Sequence, residues 1–373
     1  MNARLKGGSE AEAPRVLHVV PALFGRGEGG VLGGAERYAL ELARHMAERV
    51  PTRLVTFGER GREETLGSLK VRVIGGAWQV RGQRTNPLAP ALLAELRGAD
   101  VVHCHQRHVL ASSVSAAVCR LTRRRVFVTD LGGGGWDVSA YVSTERWYHG
   151  HLHISEYSRR VYGHSGRPRA HVIHGGVDVE KFSPDPAVAR EARAVFVGRL
   201  MPHKGIDDLI RALPDGVALD IIGQPYSEEY LRELKRLAEG KPVVFRHDCD
   251  DAELVRAYRG ALCVVLPSVY RSAYGQGHES KVPELLGQTL IEGMACGAPA
   301  VCTDVASMPE VVEDKVCGFV VAPNDPAALG AAMARLRERP REAAEMGRAA
   351  RLRVLEKFNW PAVVGRCLEI YAR

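Results

Sequence analysis

Short apolar runs, each followed by a stretch with helical spacing, recur along the whole chain. The first half holds VLHVV (16–20), RLVTF (53–57), VVHCH (101–105) and VFVTD (126–130). Continuous apolar runs of this length read as strands buried on both faces. Between them, ERYALELARHMAE places Tyr38, Leu42 and Met46 on one helical stripe flanked by Ala39 and Ala43, and VLASSVSAAVCRLTR reads as a second helix. A second series opens at AVFVG (194–198) and continues through ALDIIG (218–223), PVVF (242–245), ALCVVLP (261–267), APAVCT (298–303) and GFVVA (318–322). Helical patterns such as EEYLRELKRLAE and QTLIEGMAC separate these runs. Strand–helix alternation predicts doubly wound parallel sheets, and two series predict two Rossmann-like α/β domains. Prolines and charges interrupt the pattern at FSPDPAVAREA (182–192). The expected domains are therefore 1–185, with 1–14 as a mobile tail, 186–357, and a C-terminal helix at 358–373 packing back on the first domain. Two such domains facing each other leave a central cleft at the carboxyl ends of their strands, where ligands bind.

With 46% hydrophobic and 25% charged residues, the composition is that of a folded globular chain rather than a disordered one. No apolar run approaches a membrane span, and MNARLKGGSEAEAPR lacks the apolar centre of a signal peptide, so a cytoplasmic protein is expected. The eight cysteines form no CxxC pair and several sit inside apolar runs, as reduced, buried thiols do. The net charge of +7 is uneven: residues 1–186 carry 26 Lys and Arg against 18 Asp and Glu. An excess confined to one half, with the triplet Arg123-Arg124-Arg125 inside it, fits either a solvated helix end or contact with an anionic membrane or phosphate-bearing partner. In the second case the protein sits peripherally at the inner face of the membrane. No basic–aromatic interleaving accompanies the charge, which disfavours nucleic acid.

Two clusters carry candidate chemistry. In PELLGQTLIEGMACGAPAVCTD (283–304), Glu284 and Glu292 stand eight residues apart around a helix start marked by Gly287 and Gln288. Such a start offers unpaired N–H groups and the positive end of a dipole to a phosphate. In VGRLMPHKG (197–205), Arg199 and Lys204 follow a strand and flank a tight turn, two cations suited to a diphosphate. Each cluster read alone also fits ordinary surface charge.

Together the clusters carry a resemblance. GGAERYALELA (33–43), DVVHCH (100–105), VIHGGVD followed by F-S-P (172–184), VGRL-x-x-x-KG (197–205), LPS (266–268), E-x7-E with GMACGAPAV (284–301) and PEVVED-x-x-x-GFVVAP (309–323) resemble the family 4 glycosyltransferases of the retaining GT-B type, over nearly the whole chain. The resemblance implies transfer of a hexosyl unit from a UDP- or GDP-sugar to a glycan, lipid-linked or small-molecule acceptor, with no cofactor and no metal. It implies that Arg199 and Lys204 hold the donor diphosphate and that Glu292 binds the ribose. Glu284 would contact the donor sugar, with N–H groups around Gly287, Gln288, Thr289 and Leu290 helping. Gly33 and Gly34 would let the backbone approach the phosphate. Negative charge growing on the leaving diphosphate is then met by fixed cations and a helix N-terminus.

Several features depart from the family pattern or stay open. Gly175-Gly176 stands where relatives often have Asn-Gly, and VYRSAYGQGHESKVP (269–283) is an insertion beside the expected sugar pocket, either an acceptor wall or a tolerated loop. Asp130 stands where relatives commonly have His, before four glycines (132–135). It either orients a sugar near the reacting carbon or caps the turn. His105, Asp130, Gly132 and Gly133 are the candidate acceptor contacts. His103 and His105, like His151 and His153, share a strand face, but an HxH pair without a third ligand is a weak metal signal. FGRGEGG (24–30) contains G-x-G-x-x-G, so a nicotinamide dehydrogenase is a rival. The helix expected after Gly33-Gly34, rather than inside the motif, counts against it. A non-catalytic nucleotide-sugar-binding protein and a nucleotide-sugar epimerase are further alternatives.

Overall fold

The computed structural model describes residues 13–25, 31, 33–132, 135–274 and 278–373. The expected tail, most of FGRGEGG, Gly133 and the centre of the 269–283 insertion lie outside the described residues. The chain divides into two compact units, Met1–Leu152 with Cys367–Arg373, and His153–Arg366. Residues 153–185 thus group with the second unit.

The first unit contains β1 (Val16–Val19), α1 (Gly34–Ala47), β2 (Thr52–Gly58), β3 (Arg62–Leu66), β4 (Leu69–Gly75), β5 (Trp78–Gln79), β6 (Pro87–Leu88), α2 (Ala91–Arg97), β7 (Val101–His105), α3 (Leu110–Leu121), β8 (Arg125–Thr129) and β9 (Gly150–His153). Its sheet runs β9-β8-β7-β1-β2-β4-β3, parallel except for the β3–β4 pair. That hairpin has no counterpart among the apolar runs. Its outer strand REETL is polar and half-exposed, so no continuous hydrophobic signal marks it. On one face of the sheet, Ala39, Leu40 and Ala43 of α1 pack over Leu54 and Val71. On the other, Leu92 and Leu96 of α2 and Ala116 and Cys119 of α3 pack over Leu17, Val102 and Val126. Strands buried from both sides explain why they read as unbroken apolar runs.

The second unit contains α4 (Glu156–Val161), β10 (Ala170–Val172), β11 (Arg193–Val197), α5 (Ile206–Ala212), β12 (Ala218–Ile222), α6 (Glu228–Leu237), β13 (Val243–Arg246), α7 (Asp251–Gly260), β14 (Cys263–Leu266), α8 (Gln288–Ala295), β15 (Ala300–Thr303), α9 (Met308–Val311), β16 (Gly318–Val321), α10 (Pro326–Glu338), α11 (Pro340–Lys357) and most of α12 (Trp360–Ala372). Its six-stranded sheet runs β13-β12-β11-β14-β15-β16, all parallel. Strand order reverses between β11 and β14, so the loops leaving those two strands diverge and open a crevice at their carboxyl ends. In the first unit the same reversal falls between β1 and β7. Both units are Rossmann-like.

The eight cysteines are free and seven are buried. No helix among the described residues is long and apolar enough to cross a membrane. In the Arg123–Arg125 triplet, Arg124 donates to the carbonyls of Ala99 and Arg97, and Arg125 donates to the carbonyl of Tyr371. Two of the three cations thus close backbone groups within the first unit.

Candidate functional site

The crevice of the second unit is built by two loops that lock together. After β11 the chain turns at Gly198-Arg199 and makes one 3-10 turn, Pro202–Lys204, closed by Gly205 in the left-handed region at φ 65°. A Cβ on Gly205 would stand 2.1 Å from the carbonyl oxygen of Pro267 in the loop leaving β14, so both the backbone angle and the packing require glycine. Val269 N–H donates to the His203 carbonyl at 2.8 Å and ties the same loops again.

This arrangement brings Lys204 to Glu284. The Lys204 Nζ lies 2.5 Å from Glu284 Oε2 and 3.4 Å from the Pro283 carbonyl. The other carboxylate oxygen, Oε1, accepts the N–H of Gly287 at 3.3 Å. Glu284 therefore bridges the β11 loop and the start of α8. Gly287, at φ 79°, precedes α8 without a capping side chain. The first-turn N–H groups of Gln288 and Thr289 have no acceptor upstream in the helix, while the Leu290 N–H is taken by the Gly287 carbonyl at 3.0 Å.

Burial pushes His203 down to about 4, with Lys204, Arg199 and His278 adding to the effect and Glu284 opposing it. The exposed Arg199 thus shares one electrostatic neighbourhood with Lys204 and Glu284. His278 brings the inserted segment into it. That segment is held by an antiparallel bridge between Arg271 and Glu279. The Ala306 N–H donates to the Tyr270 hydroxyl, and the Tyr157 hydroxyl donates to the Lys281 carbonyl.

Glu292 lies one turn beyond Gln288 on α8. It accepts the Tyr258 hydroxyl from α7 at 3.1 Å, and the Gln288 amide donates to its other oxygen at 3.5 Å. Tyr258 is fully buried, and burial together with the neighbouring Glu292 carboxylate raises its hydroxyl well above the usual range. Sequence reasoning missed Tyr258, which sits in an ordinary amphipathic helix and is distinguished by its partner alone. The Gly175-Gly176 departure has a packing cause. A Cβ on Gly175 would stand 2.2 Å from Leu286, and one on Gly176 would run into the Trp360 ring. The Gly176 carbonyl also accepts the Gln288 amide at 3.2 Å. One D-x-D sequence exists, Asp248-Cys249-Asp250, but Asp250 caps α7 in a capping box with Glu253.

In the first unit, α1 begins at Gly34 with Gly33 as its extended N-cap. A Cβ on Gly34 meets nothing within 4 Å. Nothing among the described residues demands glycine there. The start at Gly34 also sets the helix beyond G-x-G-x-x-G, unlike the dinucleotide fingerprint.

Asp130 is buried at the end of β8, and its Oδ1 accepts the Gly132 N–H at 3.2 Å. Burial raises its carboxyl, against the pull of His108 and Arg107. Gly132 has φ 82°, and its carbonyl accepts the Gln106 amide. Gly135 packs so closely that a Cβ would stand 2.2 Å from Gln83. The described ends of the glycine run are therefore fixed by packing.

His105 ends β7, buried beside His18 and His103. The neighbouring HxH pair separates: His151 meets the Glu145 carbonyl, and His153 meets His164 at 3.0 Å.

Residues 32–181 match the family described as Glycosyltransferase Family 4, and residues 179–353 match Glycosyl transferases group 1. Together the matches take up most of the chain. The chain belongs to the family 4 glycosyltransferases. It is 33% identical over 236 residues to a GDP-mannose-dependent alpha-(1-6)-phosphatidylinositol monomannoside mannosyltransferase of Mycolicibacterium smegmatis. That match covers 58% of this chain and 60% of the relative, so the chain spans less than two thirds of the curated relative's length. A sucrose-phosphate synthase from Thermosynechococcus elongatus shares the fold, with TM-score 0.72 and 20% identity over 96% of this chain and 98% of that one. Anabaena HepE in complex with UDP has TM-score 0.70 and 19% identity over 96% and 99%.

Proposed function

We propose that this family 4 glycosyltransferase transfers a hexosyl unit from a UDP- or GDP-sugar to a glycan, lipid-linked or small-molecule acceptor, retaining the anomeric configuration and using neither metal nor cofactor. The observation that carries the proposal is the Lys204–Glu284 pair at the start of α8, in the crevice where the strand order of the second unit reverses. The cations Lys204 and Arg199 and the first N–H groups of α8 meet the charge that develops on the leaving diphosphate. Glu284, pinned between Lys204 and Gly287, addresses the donor sugar. Glu292, oriented by Tyr258, holds the ribose. Gly34, preceded by the N-cap Gly33, is a glycine that no described neighbour requires, as expected where a phosphate approaches the backbone. Asp130 orients a sugar hydroxyl in the first unit.

The mannosyltransferase relative is named for a GDP-mannose donor and a phosphatidylinositol mannoside acceptor, which favours a lipid-linked acceptor. The positive balance of residues 1–186 fits a peripheral seat on an anionic membrane.

Thermal stabilisation by a panel of UDP, GDP, ADP, their sugars and NAD tests the donor class. Lys204→Ala and Glu284→Ala should each reduce transfer about a hundredfold or more. Full turnover in both variants, or stabilisation by NAD alone, overturns the reading. Inversion at the anomeric carbon in the product removes retention, and loss of transfer in EDTA removes metal independence.

A further inference from the structure

Three histidines sit side by side on the first unit's sheet, where its strand order reverses. His18 on β1 is in register with His103 on β7, and His105 follows on the same face of β7. All three are buried, at 0%, 0% and 3% exposure. His103 has a partner at each ring nitrogen, Thr129 Oγ1 at 2.7 Å and the Tyr371 hydroxyl at 2.7 Å. His18 and His105 form a separate pair, His18 Nδ1 to His105 Nε2 at 2.8 Å.

The positions of the protons in that pair follow from its far end. His18 Nε2 lies 3.4 Å from Met46 Sδ. A thioether sulfur accepts and cannot donate, so His18 Nε2 carries the proton. Burial holds His18 near 3 and His105 well below the usual imidazole range, and the other two rings press His103 down further. Each ring is therefore neutral and carries one proton. With that proton on Nε2, His18 Nδ1 is a lone pair and accepts. His105 Nε2 must donate to it. His105 Nδ1 is then a lone pair as well, and this buried atom has no hydrogen-bond partner among the described residues. Buried acceptors are normally satisfied, and here the tautomer leaves room only for a donor.

We propose that His105 Nδ1 is an acceptor site for a hydroxyl of a polyhydroxylated ligand bound to the first unit, and that His18 is the positioning residue that fixes its tautomer. This deepens the glycosyltransferase reading by assigning a contact to the acceptor sugar or polyol. The nearest aromatic ring on α1, Tyr38, stands edge-on to His105 at 6.5 Å between centroids. Among the described residues, His105 pairs with the neutral His18 ring and with no charged side chain. A neutral lone pair beside an aromatic edge selects a hydroxyl over an anion, whereas the cations of the second unit select a phosphate.

Nitrogen-15 spectra of histidine-labelled protein read the tautomer directly. The expected result is a proton on Nε2 and none on Nδ1 of His105, with the Nδ1 resonance moving when methyl α-mannoside or myo-inositol is added. A proton on Nδ1, or no movement with either polyol, overturns the proposal whether or not the protein turns over a sugar donor. Two substitutions separate positioning from packing. His18→Asn keeps an oxygen near the former Nδ1 and should hold the acceptor KM within about threefold of the parent. His18→Leu removes the acceptor and should raise that KM about tenfold. Equal effects of the two variants assign His18 to packing alone. The three rings also fall within ligand distance of one another. One equivalent of bound transition metal in purified protein, lost in His18→Leu, would replace the hydrogen-bonded pair with a metal site and overturn the proposal.

Discussion

Lys204 Nζ and Glu284 Oε2 lie 2.5 Å apart, with 13% and 16% of their side chains exposed, and join residues from loops 80 positions apart. Removing either charge orphans the other in a partly dry setting. Lys204→Ala should cost about 2 kcal/mol, below the roughly 3–5 kcal/mol of a fully buried pair, since both groups keep some exposure. Lys204→Ala/Glu284→Ala should recover part of that loss while transfer stays abolished. Urea unfolding of the three variants, alongside transfer assays, separates the structural from the functional share.

Tyr258→Phe removes the hydroxyl that Glu292 accepts at 3.1 Å. The fold should lose about 1 kcal/mol. Affinity for the nucleoside diphosphate should fall several-fold while kcat at saturation changes little, as expected when ribose binding is weakened uniformly. Calorimetric titration with UDP and GDP checks this.

Two glycines should respond in opposite ways. Gly205→Ala forces a side chain into φ 65° and against the Pro267 carbonyl, costing about 2 kcal/mol or more. Gly34→Ala adds a Cβ to open space in a helix, so the melting temperature should hold or rise slightly. The role proposed for Gly34 nonetheless calls for a fall in transfer in Gly34→Ala. Scanning calorimetry with parallel kinetics tests the contrast.

Buried neutral histidines set the acid limb of stability. Burial lowers His18 to about 3, and His174 and His203 to about 4, from an ordinary value of 6.5. A folded-state value below the unfolded one contributes stability that is in place above pH 6.5 and is lost as pH falls towards the folded values. The unfolded chain binds more protons in that window. The melting temperature should therefore fall steadily from about pH 6.5 to about pH 4, and His18→Asn should flatten the slope.

Asp130→Asn keeps an oxygen for the Gly132 N–H and should leave stability within about 0.5 kcal/mol. Transfer should fall about tenfold because the amide cannot match the carboxylate as an acceptor for a sugar hydroxyl. Asp130→His loses that turn contact, and its lower melting temperature would distinguish turn capping from contact with the sugar.

Much of the second unit was legible in the chain. QTLIEGMAC announces α8 because helical phase and its glycine start are local. The spacing of Glu284 and Glu292 places one before the helix and one on its second turn whatever surrounds them. GRL…KG reads as cations after a strand because strand and turn are contiguous. The β3–β4 hairpin escaped because its outer strand is polar and half-exposed, and strand 150–153 because its histidines interrupt the apolar pattern. His103 and His105 read as an HxH pair with only a weak metal signal, because the third ring, His18, lies 85 positions before His103 in sequence and joins them only through the pairing of β1 with β7.

The sequence by itself determined the two-series α/β pattern, the helix starts and the spacing of the donor-side residues, all set by periodicities over a few turns. Tertiary structure alone decided which residues became partners. His18 meets His105 across 87 positions because β1 and β7 are neighbours in the sheet. Tyr258 meets Glu292 because α7 and α8 pack side by side. Gly175 and Gly176 are small because Leu286 and Trp360 come to rest on them. Such pairings arise from strand order and helix packing, which bring distant segments together without leaving a periodic mark on either one.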